Sequence, residues 1–203
     1  MVVEIEDEDI YEKLNYWSTN LIGYVLGDSP YFKTMENYIA HGWNFISKPQ
    51  VLYYDDGYYV FKFASAADRH LVMQSGPYMY RNRQMILRNW SLDFEFNPEC
   101  LSKIPLWVKF PSLPLGYWSK KELSKLASVV GKLLYTDKCT AEIERISYAR
   151  FLVEVDISHP LPEQVELNTP IGVLQQEIRN DWIPKFYVDC NVYGHTVKIV
   201  YIS

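Results

Sequence analysis

Apolar and polar positions change period in a regular order along the chain. Asn20–Gly27 (NLIGYVLG) is a short apolar run ending in Gly, the pattern of a strand. Asp28-Ser29-Pro30 follows, an N-cap region with Pro near the first helical turn. From Tyr31 to Trp43, the apolar positions Phe32, Met35, Ile39 and Trp43 recur at three- and four-residue spacing. They predict an amphipathic helix ending near Gly42. Phe45–Tyr54 reads as a strand with an edge or bulge at Pro49. Asp55-Asp56-Gly57 reads as a hairpin turn, and Tyr58–Ala64 (YYVFKFA) as the clearest strand of the chain. Ser65–Gln74 predicts a second helix with Ala67, Leu71 and Met73 inward, stopped by Ser75-Gly76-Pro77. Gln84–Trp90 (QMILRNW) is a fourth strand.

Strand, helix, strand, strand, helix, strand is the split βαβ arrangement, an RRM-like (ferredoxin-like) fold expected over residues 17–92. Right-handed crossovers put both helices on one face of an antiparallel sheet and leave the other face open. After a link at Ser91–Lys103, Ile104–Phe110 reads as a strand, Ser119–Val130 as a helix and Gly131 as its cap. Leu123, Leu126, Ala127 and Val130 form that helix's apolar stripe. Lys132–Tyr135, Ala149–Ile157, Val165–Leu167 and Gly172–Arg179 read as strands. The expectation is an α+β chain, with a smaller α+β domain at 104–180. The halves share a strand–helix–strand–strand rhythm, too loosely to show duplication.

Charge changes this picture in one place. Residues 1–16 hold six acids and one Lys, which is the whole net charge of −5; the remaining chain is balanced. This acidic leader reads as a solvated, partly disordered tail, or as a competitor of nucleic acid for a basic face. Trp17 to Trp90 carries seven Lys/Arg against five Asp/Glu. Aromatic residues reach 16%, which suits strands and stacking surfaces. Three scattered cysteines, no basic-then-apolar N-terminus and no apolar run near ~20 residues predict an intracellular protein, nuclear or cytoplasmic, without a membrane segment.

The third strand carries the candidate chemistry. An RNA-recognition motif has a basic residue, Gly and alternating aromatics there. In Asp56-Gly57-Tyr58-Tyr59-Val60-Phe61-Lys62-Phe63, the positions Gly57, Tyr58 and Phe63 match; Asp56 and Val60 depart. Alternation puts Tyr58, Val60 and Lys62 on one face and Tyr59, Phe61 and Phe63 on the other. The helices must cover the more apolar face, leaving Tyr58 and Lys62 open. Tyr24 and Arg88 join them from neighbouring strands, and Arg83 lies nearby. Rings that stack on bases beside cations that meet phosphates point to low-specificity binding of single-stranded RNA or DNA. The alternative is a protein-contact face, covered by the second half, a partner chain or a second copy.

The four histidines fall in no nucleophile or metal pattern. No phosphate-cradling Gly loop or paired carboxylates appear either, so no enzyme and no cofactor are expected. At the C-terminus, Cys190 and His195 stand at two of the four ligand positions of a zinc knuckle, with Tyr187 and Val200 at the others. Two ligands cannot close a structural zinc site, so residues 181–203 read as a degenerate remnant that holds no metal.

Several motifs occur in order: Leu21–Gly27, Ser75-Gly76-Pro77-Tyr78, Leu87-Arg88-Asn89-Trp90, Leu106–Pro114, Thr136-Asp137, Tyr148-Ala149-Arg150 and the Cys190–His195 remnant. With these the chain resembles a plant domain family of unknown function. In LINE-type retrotransposon ORF-one (gag-like) proteins that family precedes a CCHC zinc knuckle. The resemblance implies an RRM-like first domain and nucleic-acid binding in a retroelement particle.

Overall fold

The structure, a computed structural model, describes residues 2–94, 96, 103–183, 186–187 and 192–193. The chain divides into two units, Met1–Phe96 and Asn97–Ser203.

The first unit opens with helix α1 (Asp7–Trp17), where a solvated, partly disordered tail was expected. The acids themselves explain it. Glu6 and Asp9 form a reciprocal capping box, and Asp7, Glu8 and Asp9 put negative charge at the positive end of the helix dipole. No residue of α1 is buried. Strand β1 (Asn20–Val25), helix α2 (Phe32–Gly42), strands β2 (Gln50–Tyr54) and β3 (Tyr58–Lys62), and helix α3 (Ala66–Ser75) follow. Two further strands, β4 (Tyr78–Tyr80) and β5 (Arg83–Asn89), complete the unit. The sheet order is β2-β3-β1-β5-β4, antiparallel at every step. Setting aside the added edge strand β4, this is the split βαβ order, with the first and third strands central. The first unit is RRM-like.

Trp43, at the end of α2, packs on Phe61, Phe63 and Tyr78, with ring centroids 4.9, 5.8 and 5.4 Å away. Phe61 and Phe63 therefore face the helices, as the alternation predicts. Burial pushes the Tyr59 phenol on that face up to about 12, and its hydroxyl donates to the Pro30 carbonyl. Gly23 faces the same core: a Cβ there would lie 2.5 Å from the Phe61 ring and 2.9 Å from Leu87. In α3 the buried residues are Val72 and Met73, while Ala67 and Leu71 are exposed. The predicted inward set Ala67, Leu71 and Met73 is corrected at two positions. The Ser65 hydroxyl accepts from the Asp68 amide and caps the start of the helix.

The second unit is also α+β. Strand β6 (Lys103–Pro111), helix α4 (Lys120–Val130), strand β7 (Lys132–Thr136), the short helix α5 (Lys138–Ala141) and strand β8 (Tyr148–Asp156) come first. The hairpin β9 (Gln164–Thr169) and β10 (Gly172–Glu177) and the short strand β11 (Arg179–Asn180) follow; β12 (Phe186–Tyr187) and β13 (Val192–Tyr193) make a small separate sheet. The main sheet runs β11-β6-β8-β7, antiparallel throughout. That is the strand order of the first unit: last, first, third, second. Helix α4 occupies the place of α2. The hairpin β9–β10 stands where the second helix would be, and Val165 and Leu167 pack on the α4 core from it. All four predicted stripe residues of α4 are buried.

Candidate nucleic-acid interface

The face of the first sheet turned away from α2 and α3 is fixed by cross-strand register. Tyr24 pairs with Tyr58, Ile22 with Val60 and with Arg88, Asn20 with Lys62, and Tyr54 with Tyr58 from the other side. Tyr24, Tyr58, Lys62 and Arg88 thus share one face with Tyr54 and Asn20. The Tyr24 and Tyr58 rings lie 5.1 Å apart at 54°.

This face is not open, contrary to the sequence expectation. Tyr58 is 1% exposed and Tyr24 7%. The reason lies in the link after β5. The Trp90 amide donates to the Asn20 carbonyl and extends the sheet by one step. The Phe94 amide then donates to the Ser91 carbonyl, closing a turn. The chain returns across the strands. Phe94 lies 6.4 Å from Tyr58, and Phe96 lies 5.6 Å from Tyr58 at 88°. Phe96 also stacks on Tyr54 at 3.9 Å and 19°. Phe94 and Phe96 meet each other at 5.0 Å.

The cations are engaged as well. The Lys62 ammonium sits 3.3 Å from the ring centre of Tyr16 in α1, a cation–π contact. Arg83 is exposed at the end of β5, and its guanidinium donates to the carbonyls of Leu26, at 3.4 Å, and Gly27. It braces the turn after β1. Arg88 is half-buried on the platform face beside Ile22. Asn20 is fully buried, and neither of its side-chain amide atoms has a hydrogen-bond partner among the described residues. Sequence reasoning missed Tyr54, Asn20, Tyr16, Phe94 and Phe96. Register would have found Tyr54. The alternation of acid and ring in Asp93-Phe94-Glu95-Phe96 was the visible signal for the last two.

Residues 13–98 match the family model of a domain of unknown function, DUF4283. The match covers the first unit's sheet, helices α2 and α3, the end of α1 and the Phe94–Phe96 segment. An uncharacterized protein of Arabidopsis thaliana is 27% identical over 90 residues, which span 44% of this chain and 28% of that protein. The chain therefore matches little more than a quarter of that relative's length. Among solved structures, similarity extends to RNA recognition domains 1 and 2 of Sex-lethal from Drosophila melanogaster. There the identity is 14%, covering 66% of this chain and 85% of that one, with a TM-score of 0.29. The RNA binding domain of Hrp1, solved in complex with RNA, shows 8% identity, covers 82% of this chain and 98% of that one, and has a TM-score of 0.31. The strand order and register carry the fold assignment here, not these superpositions.

Motif residues of the second unit also converge. Arg150 donates through Nε and Nη2 to Asp181 at 2.9 and 2.6 Å and through Nη1 to Asp137 at 3.3 Å. Arg145 donates to Asp137 at 2.7 Å, and Lys109 pairs with Asp181 at 2.5 Å. The Arg150 guanidinium lies 4.3 Å from the Trp107 ring centre. These contacts join the Leu106–Pro114, Thr136-Asp137 and Tyr148-Ala149-Arg150 motifs into one ion-pair lock. Its carboxylates neutralise most of the cationic charge, so the cluster serves the second unit's own packing.

The remnant positions Cys190 and His195 lie outside the described residues. Among the described residues no helix is long and apolar enough to cross a membrane.

Proposed function

We propose that this chain is a non-catalytic, low-specificity binder of single-stranded RNA or DNA, of the kind used in retroelement gag-like particles. One observation carries the reading: the platform face takes flat rings. Phe96 already stacks on Tyr54 at 3.9 Å and nearly parallel and meets Tyr58 edge-on, Tyr58 in turn pairs with Tyr24, and Lys62 and Arg88 lie on the same face. A base presents the same flat π surface, and stacking tolerates any sequence. The cations would meet the phosphates between the bases. The two tyrosines that sequence reasoning assigned to stacking form the floor of this platform rather than its exposed tip.

A second reading is favoured by the burial of Tyr24 and Tyr58: a protein-interaction scaffold whose sheet face is closed to nucleic acid. One titration separates the two. Binding of a labelled single-stranded RNA, followed by anisotropy over rising salt, is expected to weaken steadily. Lys62→Ala is expected to lower the slope of log K against log salt by about 0.7, one phosphate contact on a single strand. Absence of binding at about 50 mM salt, where phosphate contacts are strongest, would favour the scaffold.

A further inference from the structure

The segment that covers the platform has the chemistry of the ligand assigned to it. In Asp93-Phe94-Glu95-Phe96 each ring follows a carboxylate, as each base follows a phosphate along a nucleic-acid strand. Its two rings occupy successive positions over the sheet. Phe94 lies beside Tyr58 of β3, and Phe96 stacks on Tyr54 of β2 while meeting Tyr58 edge-on. The segment leaves β5 and runs across β3 to β2, so it crosses the strands rather than pairing with one. It is anchored by a turn bond, Phe94 amide to Ser91 carbonyl at 3.1 Å, and by ring contacts. Phe94 and Phe96 are only half-buried, whereas the tyrosines beneath are closed off. A cover held by stacking on one side and wet on the other can exchange with any ligand that stacks equally well.

We propose that Phe94 and Phe96 mark two base subsites on the first sheet. The segment carrying them is then an intramolecular nucleic-acid mimic, which a single strand displaces by placing two successive bases where the rings now lie. This rests on the nucleic-acid reading above and deepens it. It also accounts for a platform that is both chemically suited to bases and closed: the closure is competitive. The strand's affinity is reduced by the fraction of time the rings hold the site, and removing the rings restores it.

The test is the binding of a labelled single-stranded oligoribonucleotide to the full chain. The double variant Phe94→Ala/Phe96→Ala is expected to bind at least fivefold tighter than the parent chain. That is the low end of what one stacking contact is worth. Each single substitution is expected to give part of the gain. Phe96→Trp, which keeps the cover and enlarges its stacking surface, is expected to bind several-fold more weakly, so the idea stays testable if the double variant loses structure. Circular dichroism and thermal melting check that each variant is folded. If the parent and folded ring-deleted variants bind RNA equally well, the mimic is overturned while nucleic-acid binding stands. If folded ring-deleted variants bind no RNA at about 50 mM salt, both readings fall.

Discussion

Tyr58 meets Tyr24, Phe94 and Phe96 at once and is 1% exposed, so its ring is part of the core of the first unit. Truncating it opens a cavity the size of a phenol beneath the covering segment. Tyr58→Ala is therefore expected to cost roughly 3–5 kcal/mol of stability, close to the cost of truncating Phe61 on the opposite face. Denaturant unfolding measures this directly, and an unchanged midpoint would show that the ring is not buried in solution. The consequence for function is practical. Loss of RNA binding in that variant would not identify a stacking residue, because the fold would be failing too. Alternation alone placed Tyr58 and Lys62 on one face and Phe61 and Phe63 on the other, and the register confirms it. It could not show that Phe94 and Phe96 close that face. Contacts between rings some 36 residues apart leave no period in the sequence.

At the scale of elements, the periodic segments were legible and the closely packed junctions were not. The α4 stripe Leu123, Leu126, Ala127 and Val130 was readable because one face of an ideal helix meets one sheet. The α3 face was misread because Ala67 and Leu71 match the helical period as well as the buried Val72 and Met73 do. The turn Arg81-Asn82 between β4 and β5 has both residues at positive φ, 46° and 62°. Two-residue hairpins need this geometry but usually mark it with Gly, so β4 escaped notice. Helix α1 was hidden by reading its acids as a solvating charge run, although acids at a helix N-terminus are favourable. The junction between α4 and β7 gives a sharp prediction. At Gly131 an added Cβ would stand 2.1 Å from the Glu154 carbonyl oxygen of β8, which is backbone held in the sheet. Gly131→Ala must therefore shift α4 off the sheet or bend β8. Overpacking of this kind costs about 1–3 kcal/mol. A drop in thermal midpoint of the full chain is expected. An unchanged midpoint would mean that the helix and sheet lie further apart than described.

Across the whole molecule, the two units repeat one strand order with different fillings between the third and last strands: a helix in the first, a hairpin in the second. That substitution is why the sequence shows only a loose rhythm. The charge is less evenly shared. All of the net −5 lies in residues 1–16. Most of those acids sit on α1, which buries no side chain, and Tyr16 near its end rests on Lys62. If the platform takes a nucleic-acid strand as proposed, the leader opposes it in two ways: long-range repulsion, and occupation of a platform cation. Deleting residues 1–16 removes both without opening the core. The deletion is expected to tighten binding of a single strand, and more so at low salt. Exposed charges lose their reach beyond about 8 Å near physiological ionic strength, while the Tyr16–Lys62 contact is short and only weakly screened. The measured gain should therefore fall as salt rises but level off above zero. A gain that vanishes at high salt would leave repulsion as the leader's whole effect. Equal affinities with and without the leader at about 50 mM salt would remove the acidic helix from the binding mechanism altogether.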